Sequence, residues 1–340
     1  MRLAVNLTHQ GASELARAAE RLGYAAALAP EGYRSDAASL LGLVAGQTRR
    51  MALISGVMQI PARPPGLAAL TAATLDSLSG GRFGLGLGVS NPDVAAGWYG
   101  AGSDRPLERT REYVEIVRRA LAGGPVEYEG RHYRVGGPAP VHLLTEGFRP
   151  DLPVYLAAVG PRNLRLAGEI ADGWIGVFTS PDAVADAVEA IGEGRKRAGK
   201  DLAGFDVLPS LPTAVGPDPA TAADQLRGQY VYLLGIGDAE RNIYCAMARR
   251  MGYGDAAGEL RARLAAGDRA GAAAALPLDL IDRTALIGPV PRIAARLAEY
   301  AAAGVTTLGV MVSAAAATVE GRLAILEDCA AALEQSGVAG

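Results

Sequence analysis

One unit recurs along this chain and constrains its fold more than any other feature: an Ala/Leu-rich helical stretch, a glycine, then a short apolar run. It appears as Glu14–Arg21, Gly23 and Tyr24–Leu28, and again as Leu67–Leu78, Gly80-Gly81 and Arg82–Leu87. It returns as Asn163–Ile170, Gly173 and Trp174–Phe178, and finally as Arg292–Ala301, Gly304 and Val305–Val312. The glycine falls where a helix needs a left-handed C-terminal cap, and the apolar run that follows reads as a buried strand. Helices alternating with buried strands form a parallel sheet covered by helices. The gaps supply further strands near Leu3–Asn6, Ala52–Met58, Val154–Ala158 and Phe205–Pro209. Eight strands in all is the number that closes into a (β/α)8 barrel. The competing open, doubly wound sheet is disfavoured by even spacing and by the lack of a nucleotide fingerprint.

Two stretches break the repeat. Residues 123–150 contain Val126–Val135, two alternating runs about a Gly turn, which predicts an inserted hairpin. Residues 221–282 are Ala-rich, helical in pattern and interrupted by Gly, which predicts a helical insertion or lid. Both are expected to belong to one barrel domain spanning 1–340, a length that single α/β barrels reach.

Composition removes several classes of function. The net charge is −3 and no basic block is present, so the salt-sensitive phosphate grip of a nucleic-acid binder has no source. The two cysteines, Cys245 and Cys329, match no metal or redox spacing and read as buried thiols of a reducing compartment. The apolar run at Met1–Gln10 is too short for a secretory signal and no stretch reaches membrane-span length, so a soluble, cytoplasmic protein is expected.

The familiar catalytic motifs fail on inspection. Gly84–Gly88 lacks the third spacing of GxGxxG and lies within a strand, where glycine lets a neighbour or ligand approach the backbone. Gly194–Lys200 resembles a phosphate loop, but Asp201 stands where Ser or Thr is needed. Gly88–Pro92 lacks the final Gly of GxSxG. His9, His132 and His142 form no zinc-binding pair. A chain without nucleophile, metal set or nucleotide loop must take its chemistry from a bound redox cofactor.

Ser55–Pro64, Thr71–Phe83 and Gly86–Ser90 together resemble the luciferase-like monooxygenase superfamily. Leu156–Asn163, Ala171–Trp174, Pro289–Leu297 and Gly304–Thr307 extend the likeness in order through nearly the whole chain. Within the superfamily the chain is most similar to the deazaflavin-dependent reductases and dehydrogenases. The resemblance implies the barrel again, a reduced deazaflavin (coenzyme F420) as hydride carrier, and a homodimer. Flavin mononucleotide (FMN) in a monooxygenase is the alternative cofactor, and a non-catalytic cofactor-binding barrel is a third reading.

Barrel active sites lie at the C-terminal ends of the strands. The positions expected to line the cofactor are therefore Gly56, Val57, Met58 and Gln59, then Ser90 and Asn91, then Ala158, Val159, Gly160 and Pro161, and Phe178, Thr179 and Ser180. The resemblance implies a non-proline cis bond at Gly56-Val57 against the cofactor ring. Gly160-Pro161 opens a helix with Pro at its first position, so its free amides suit a phosphate, although plain capping explains it nearly as well. Ser180 likewise has an alternative as the cap of the helix that begins at Pro181. On the substrate side, Glu31, Tyr33, Asp36, Trp98 and Tyr99 fall at the mouth. Glu31 or Tyr33 could donate the proton that accompanies hydride transfer, while Asp36 reads as a helix cap. Sugar-phosphate dehydrogenases of this branch use an Asp-His pair and a Glu where this chain has Glu31-Gly32 and Asn91. That departure favours reduction of a C=C or C=N bond in a small molecule or natural product.

Overall fold

The computed structural model describes residues 1–32, 34–102, 104–138 and 141–340. Eight parallel strands form a closed ring: β1 (Arg2–Asn6), β2 (Ala26–Ala29), β3 (Ala52–Ser55), β4 (Phe83–Gly88), β5 (Val154–Ala157), β6 (Gly173–Val177), β7 (Asp206–Val215) and β8 (Thr307–Met311). Each pairs with its sequence neighbour, and β8 returns to β1 in the register Leu3 to Leu308. The outer helices are α1 (Ala12–Arg21), α2 (Ala37–Ala45), α3 (Pro65–Ser79), α4 (Pro106–Leu121), α5 (Pro161–Ile170), α6 (Pro181–Arg197), α7 (Val290–Ala302) and α8 (Val319–Ser336). The fold is the (β/α)8 barrel that the repeat predicts.

Helix patterning explains the outer layer. In α1, Ala12, Leu15, Ala16 and Ala19 are buried at helical spacing, and α1 faces its barrel neighbours with that stripe. Each fully buried Leu on such a stripe contributes about 2 kcal/mol of apolar transfer. Gly80 caps α3 with φ 69°, and Gly304 follows α7 with φ 100°, as the repeat requires. Gly173 does not fit that expectation. It opens β6 without a positive φ, and a Cβ there would meet the Tyr155 ring at 2.4 Å. Its reason is packing.

The lumen is filled by Ala4, Ala26, Leu28, Ile54, Tyr155, Ile175 and Leu208. Tyr155 donates to Asp206 at 3.2 Å beneath this layer. The inserted hairpin pairs Tyr128–Glu129 with Arg134–Val135, and Glu112 of α4 anchors its turn by accepting from the amides of Arg131, His132 and Tyr133. Between β7 and α7 lie five helices, Pro219–Gly235, Ile243–Arg250, Gly254–Ala265, Arg269–Ala274 and Leu278–Thr284. They bury a second core around Tyr230, Leu234, Leu260 and Leu280. Strand β7 runs six residues past its expected end, and its last part pairs with an extra strand, Leu286–Gly288. Among the described residues no helix is long and apolar enough to cross a membrane.

Candidate active site

Two walls of the barrel mouth carry the expected site residues. The first is built by β2, β3 and β4. Strand β3 ends at Ser55, the Gly56-Val57 peptide is cis, and the chain resumes as a two-residue strand, Met58–Gln59, paired to the end of β4. The glycines of β4 make this possible. A Cβ on Gly86 would lie 1.9 Å from the Ser55 carbonyl oxygen, and one on Gly88 would lie 2.7 Å from Val57 Cγ2. The Ser55 hydroxyl fastens the approach, accepting from Gly86 N at 2.8 Å and donating to Gly86 O at 2.9 Å. The repeated glycines are thus a close-approach device, not a nucleotide loop.

Glu31 follows β2 and closes the same wall. Its carboxylate accepts from Gln59 N at 3.1 Å and pairs with Arg63, while its carbonyl accepts from Gln59 Nε2 at 3.0 Å. Arg63 also pairs with Asp36, and Tyr113 donates to the Arg63 carbonyl at 3.2 Å. Burial works against the Arg63 charge, but Glu31 and Asp36 outweigh it and hold its pKa above the usual value. Asp36 caps α2 through Ser39 N at 2.7 Å. Burial there is outweighed by the Ser39 and Arg63 contacts, which hold its carboxyl below the ordinary range. Because Gln59 Nε2 is committed to a carbonyl, its Oε1 must face the other way, and there it is buried without a partner among the described residues. Such an acceptor suits a ring N–H.

Beyond β4, Ser90 has φ 65° and Asn91 caps the short helix Pro92–Gly97 by accepting from Asp93 N at 2.9 Å. Asp93 in turn accepts from Asp238 N at 2.9 Å and pairs with Arg241 at 2.7 Å, which ties the helical insertion to this loop. Trp98 is exposed. Tyr33 lies outside the described residues. Inside the barrel, Asn6 donates to Ser210 Oγ at 3.1 Å across Gly309, where a Cβ would lie 2.2 Å from that oxygen.

The second wall belongs to β5 and β6. A cavity of about 560 Å³ is lined by Ala158, Val159, Pro161, Phe178, Thr179 and Ser180. Gly160 is the N-cap of α5, where no side chain caps the helix. Ser180, by contrast, caps α6 by accepting from Ala183 N at 3.3 Å. Phe178 has φ 51°, and its ring packs at 5.5 Å on Tyr230 of the insertion. Left-handed backbone at non-glycine residues is uncommon and gathers at functional sites, and here Ser90 and Phe178 end two neighbouring regions of the mouth. The outer side of the cavity is formed by Met247, Arg250, Met251 and Arg283.

Sequence reasoning placed the backbone elements of both walls but missed Asn6, Arg63, Arg250 and Arg283. Arg63 lies inside a recognised motif and could have been found as the cation opposite Glu31. The insertion arginines carry no local signal. Among the described residues no group of His, Cys, Asp and Glu could hold a metal ion.

A closed parallel barrel with glycine-lined β4, a cis-bonded slot and an uncapped α5 defines a cofactor-binding oxidoreductase of the α/β-barrel class. The chain belongs to the luciferase-like monooxygenase family, whose sequence profile matches residues 6–307. It is 35% identical over 333 residues to a Mycobacterium tuberculosis protein named as a coenzyme F420-dependent oxidoreductase, covering 93% of this chain and 96% of that one. It is 30% identical over 274 residues to the 5,10-methylenetetrahydromethanopterin reductase of Archaeoglobus fulgidus, covering 79% of each. The solved coenzyme F420-dependent tetrahydromethanopterin reductase of Methanopyrus kandleri superposes with a TM-score of 0.82 at 25% identity, over 96% of this chain and 97% of that one.

Proposed function

We propose that this chain is a coenzyme F420-dependent oxidoreductase that reduces a C=C or C=N bond of a small-molecule or natural-product substrate. The observation that carries this reading is the cis-bonded turn Gly56-Val57-Met58-Gln59, packed on the β4 glycines, where the buried acceptor Gln59 Oε1 has no partner among the described residues. The likeness to a protein named as a coenzyme F420-dependent oxidoreductase and to a 5,10-methylenetetrahydromethanopterin reductase supports it.

The deazaflavin supplies a two-electron hydride when bound. The chain's own residues then hold and orient it. Gln59 Oε1 would accept a ring N–H, the cis-bonded segment would back the ring, and the α5 amides would meet the phosphate. Asn6 and Ser210, hydrogen-bonded to each other inside the barrel, would be the polar pair available to orient the acceptor. Glu31 fixes the slot rather than donating a proton, because Gln59 N and Arg63 engage its carboxylate. The proton then comes from Tyr33 or from water. The reading extends to a cytoplasmic homodimer, supported by Leu43, Leu67, Leu70 and Leu78, exposed apolar side chains on α2 and α3 that a second copy would cover.

The test is a fluorescence titration of the purified protein with coenzyme F420 and, separately, with FMN. Binding of the deazaflavin alone is the expected outcome, followed by hydride transfer to an imine or enone panel. Binding of FMN alone would overturn the cofactor, and a light-scattering mass of one chain would overturn the dimer.

A further inference from the structure

Coenzyme F420 and FMN differ most in their tails. FMN ends in a phosphate monoester, whereas the deazaflavin continues through a phosphodiester into a lactyl-oligoglutamate chain with several carboxylates. The cavity beside β5 and β6 has more room than a phosphate needs and a wall that a phosphate would not reach alone. On the barrel side stand the uncapped α5 turn and the Ser180-capped start of α6. On the far side, the insertion helix Ile243–Arg250 presents Met247, Arg250 and its following residue Met251 at helical spacing.

Arg250 has no hydrogen-bond or ion-pair partner among the described residues. The second cation of the lining, Arg283, is held at the cavity by the Tyr253 hydroxyl, with the Asp279 carboxylate close by. Its guanidinium lies 6.0 Å over the Tyr253 ring and 3.8 Å from Asp182, whose carboxylate is itself exposed. Asp182 and Asp186 line the opposite, α6 side of the cavity, so an acidic chain passing through is turned away from α6 and toward the insertion.

We infer that the helical insertion holds the acidic tail of the cofactor, with Arg250 and Arg283 as the cations that meet the carboxylates beyond the phosphate. This rests on the coenzyme F420 reading. It assigns the insertion a role in choosing the cofactor as well as in covering the mouth. The ring slot recognises a flat heterocycle that flavin shares in outline, while the two arginines recognise a charged extension that FMN lacks.

The experiment compares two ligands: coenzyme F420 with its full tail, and the tailless deazaflavin that ends at the ribityl phosphate and so lacks only the carboxylate chain. Fluorescence titrations use the intact wild-type chain, Arg250→Gln, Arg250→Lys and the double variant Arg250→Gln/Arg283→Gln. The wild type binds the full-tail cofactor more tightly, and the advantage shrinks as salt rises. Arg250→Gln weakens full-tail binding about fivefold and the double variant about twentyfold, while Arg250→Lys retains most of the affinity. Tailless binding is unchanged in all three. Unchanged full-tail affinity in the double variant overturns the inference, and so does an equal loss for both ligands. Equal wild-type affinity for the two ligands removes the tail site alone. Failure of the wild type to bind either one removes the cofactor reading together with it.

Discussion

The two walls of the barrel mouth are built on opposite plans. On the β2–β4 side Ser55, Glu31, Arg63 and Asp36 are each committed to a neighbour. Ser55 clasps Gly86, Glu31 holds Gln59 and Arg63, and Arg63 holds Asp36. On the β5–β6 side the α5 turn is uncapped, and an arginine from the insertion lacks a partner among the described residues. The first wall is set before any ligand arrives. The second keeps its donors for the ligand. Preorganised groups suit a rigid ring that must be placed accurately for hydride transfer, and available donors suit a flexible, charged chain.

Substitutions that add bulk to the first wall should have the largest effect. Gly86→Ala drives a methyl into the Ser55 carbonyl, backbone that cannot yield, and is expected to cost about 3 kcal/mol or more. Denaturant unfolding should show the loss, together with abolished cofactor binding. A variant of ordinary stability would mean that the two strands are not pinned together in solution.

Glu31→Gln comes next. It leaves Arg63 with Asp36 alone in a place where the Glu31 and Arg63 side chains are 6% and 14% exposed. The expected loss is about 2–4 kcal/mol of stability, with weaker cofactor binding. The same variant separates two roles for Glu31. A proton donor would lose turnover while binding the cofactor normally, whereas a residue that fixes the slot loses binding first.

The smallest effect is expected on the second wall. Ser180→Ala removes the α6 cap and should lower stability by about 1 kcal/mol. Cofactor affinity should not change. A drop in affinity would return Ser180 to the cofactor's own contacts and blur the contrast between the walls.

The barrel was legible because its signal is periodic and local. Each helix–glycine–strand unit announces itself, and the positions at strand ends follow from the architecture. The misreadings have local physical causes. Pro209 suggested the end of β7, yet the strand continues through Pro212 to Val215, since missing donors are tolerated where pairing is partial. Gly173 matched the helix-cap pattern but is small to admit the Tyr155 ring. The stretch expected as one strand through Met58 divides at the cis bond, which the family resemblance supplied and periodicity could not. Glu31 was placed correctly at the mouth, but its partner Arg63 decides its role, and a single position does not reveal its partner. Arg250 and Arg283 reach the cavity from far along the chain, brought there only by the packing of the insertion around Tyr230.

The short pairing of Thr213–Val215 with Leu286–Gly288 has a consequence for how this architecture diversifies. It sets the two ends of a helical segment of some seventy residues side by side in one ladder. Everything between them forms its own core, so its length and content can change at little entropic cost to the scaffold. The segment behaves as a cassette clipped to an unchanging frame. Exchanging it between such barrels would transfer ligand preference while leaving the hydride-transfer geometry where it was.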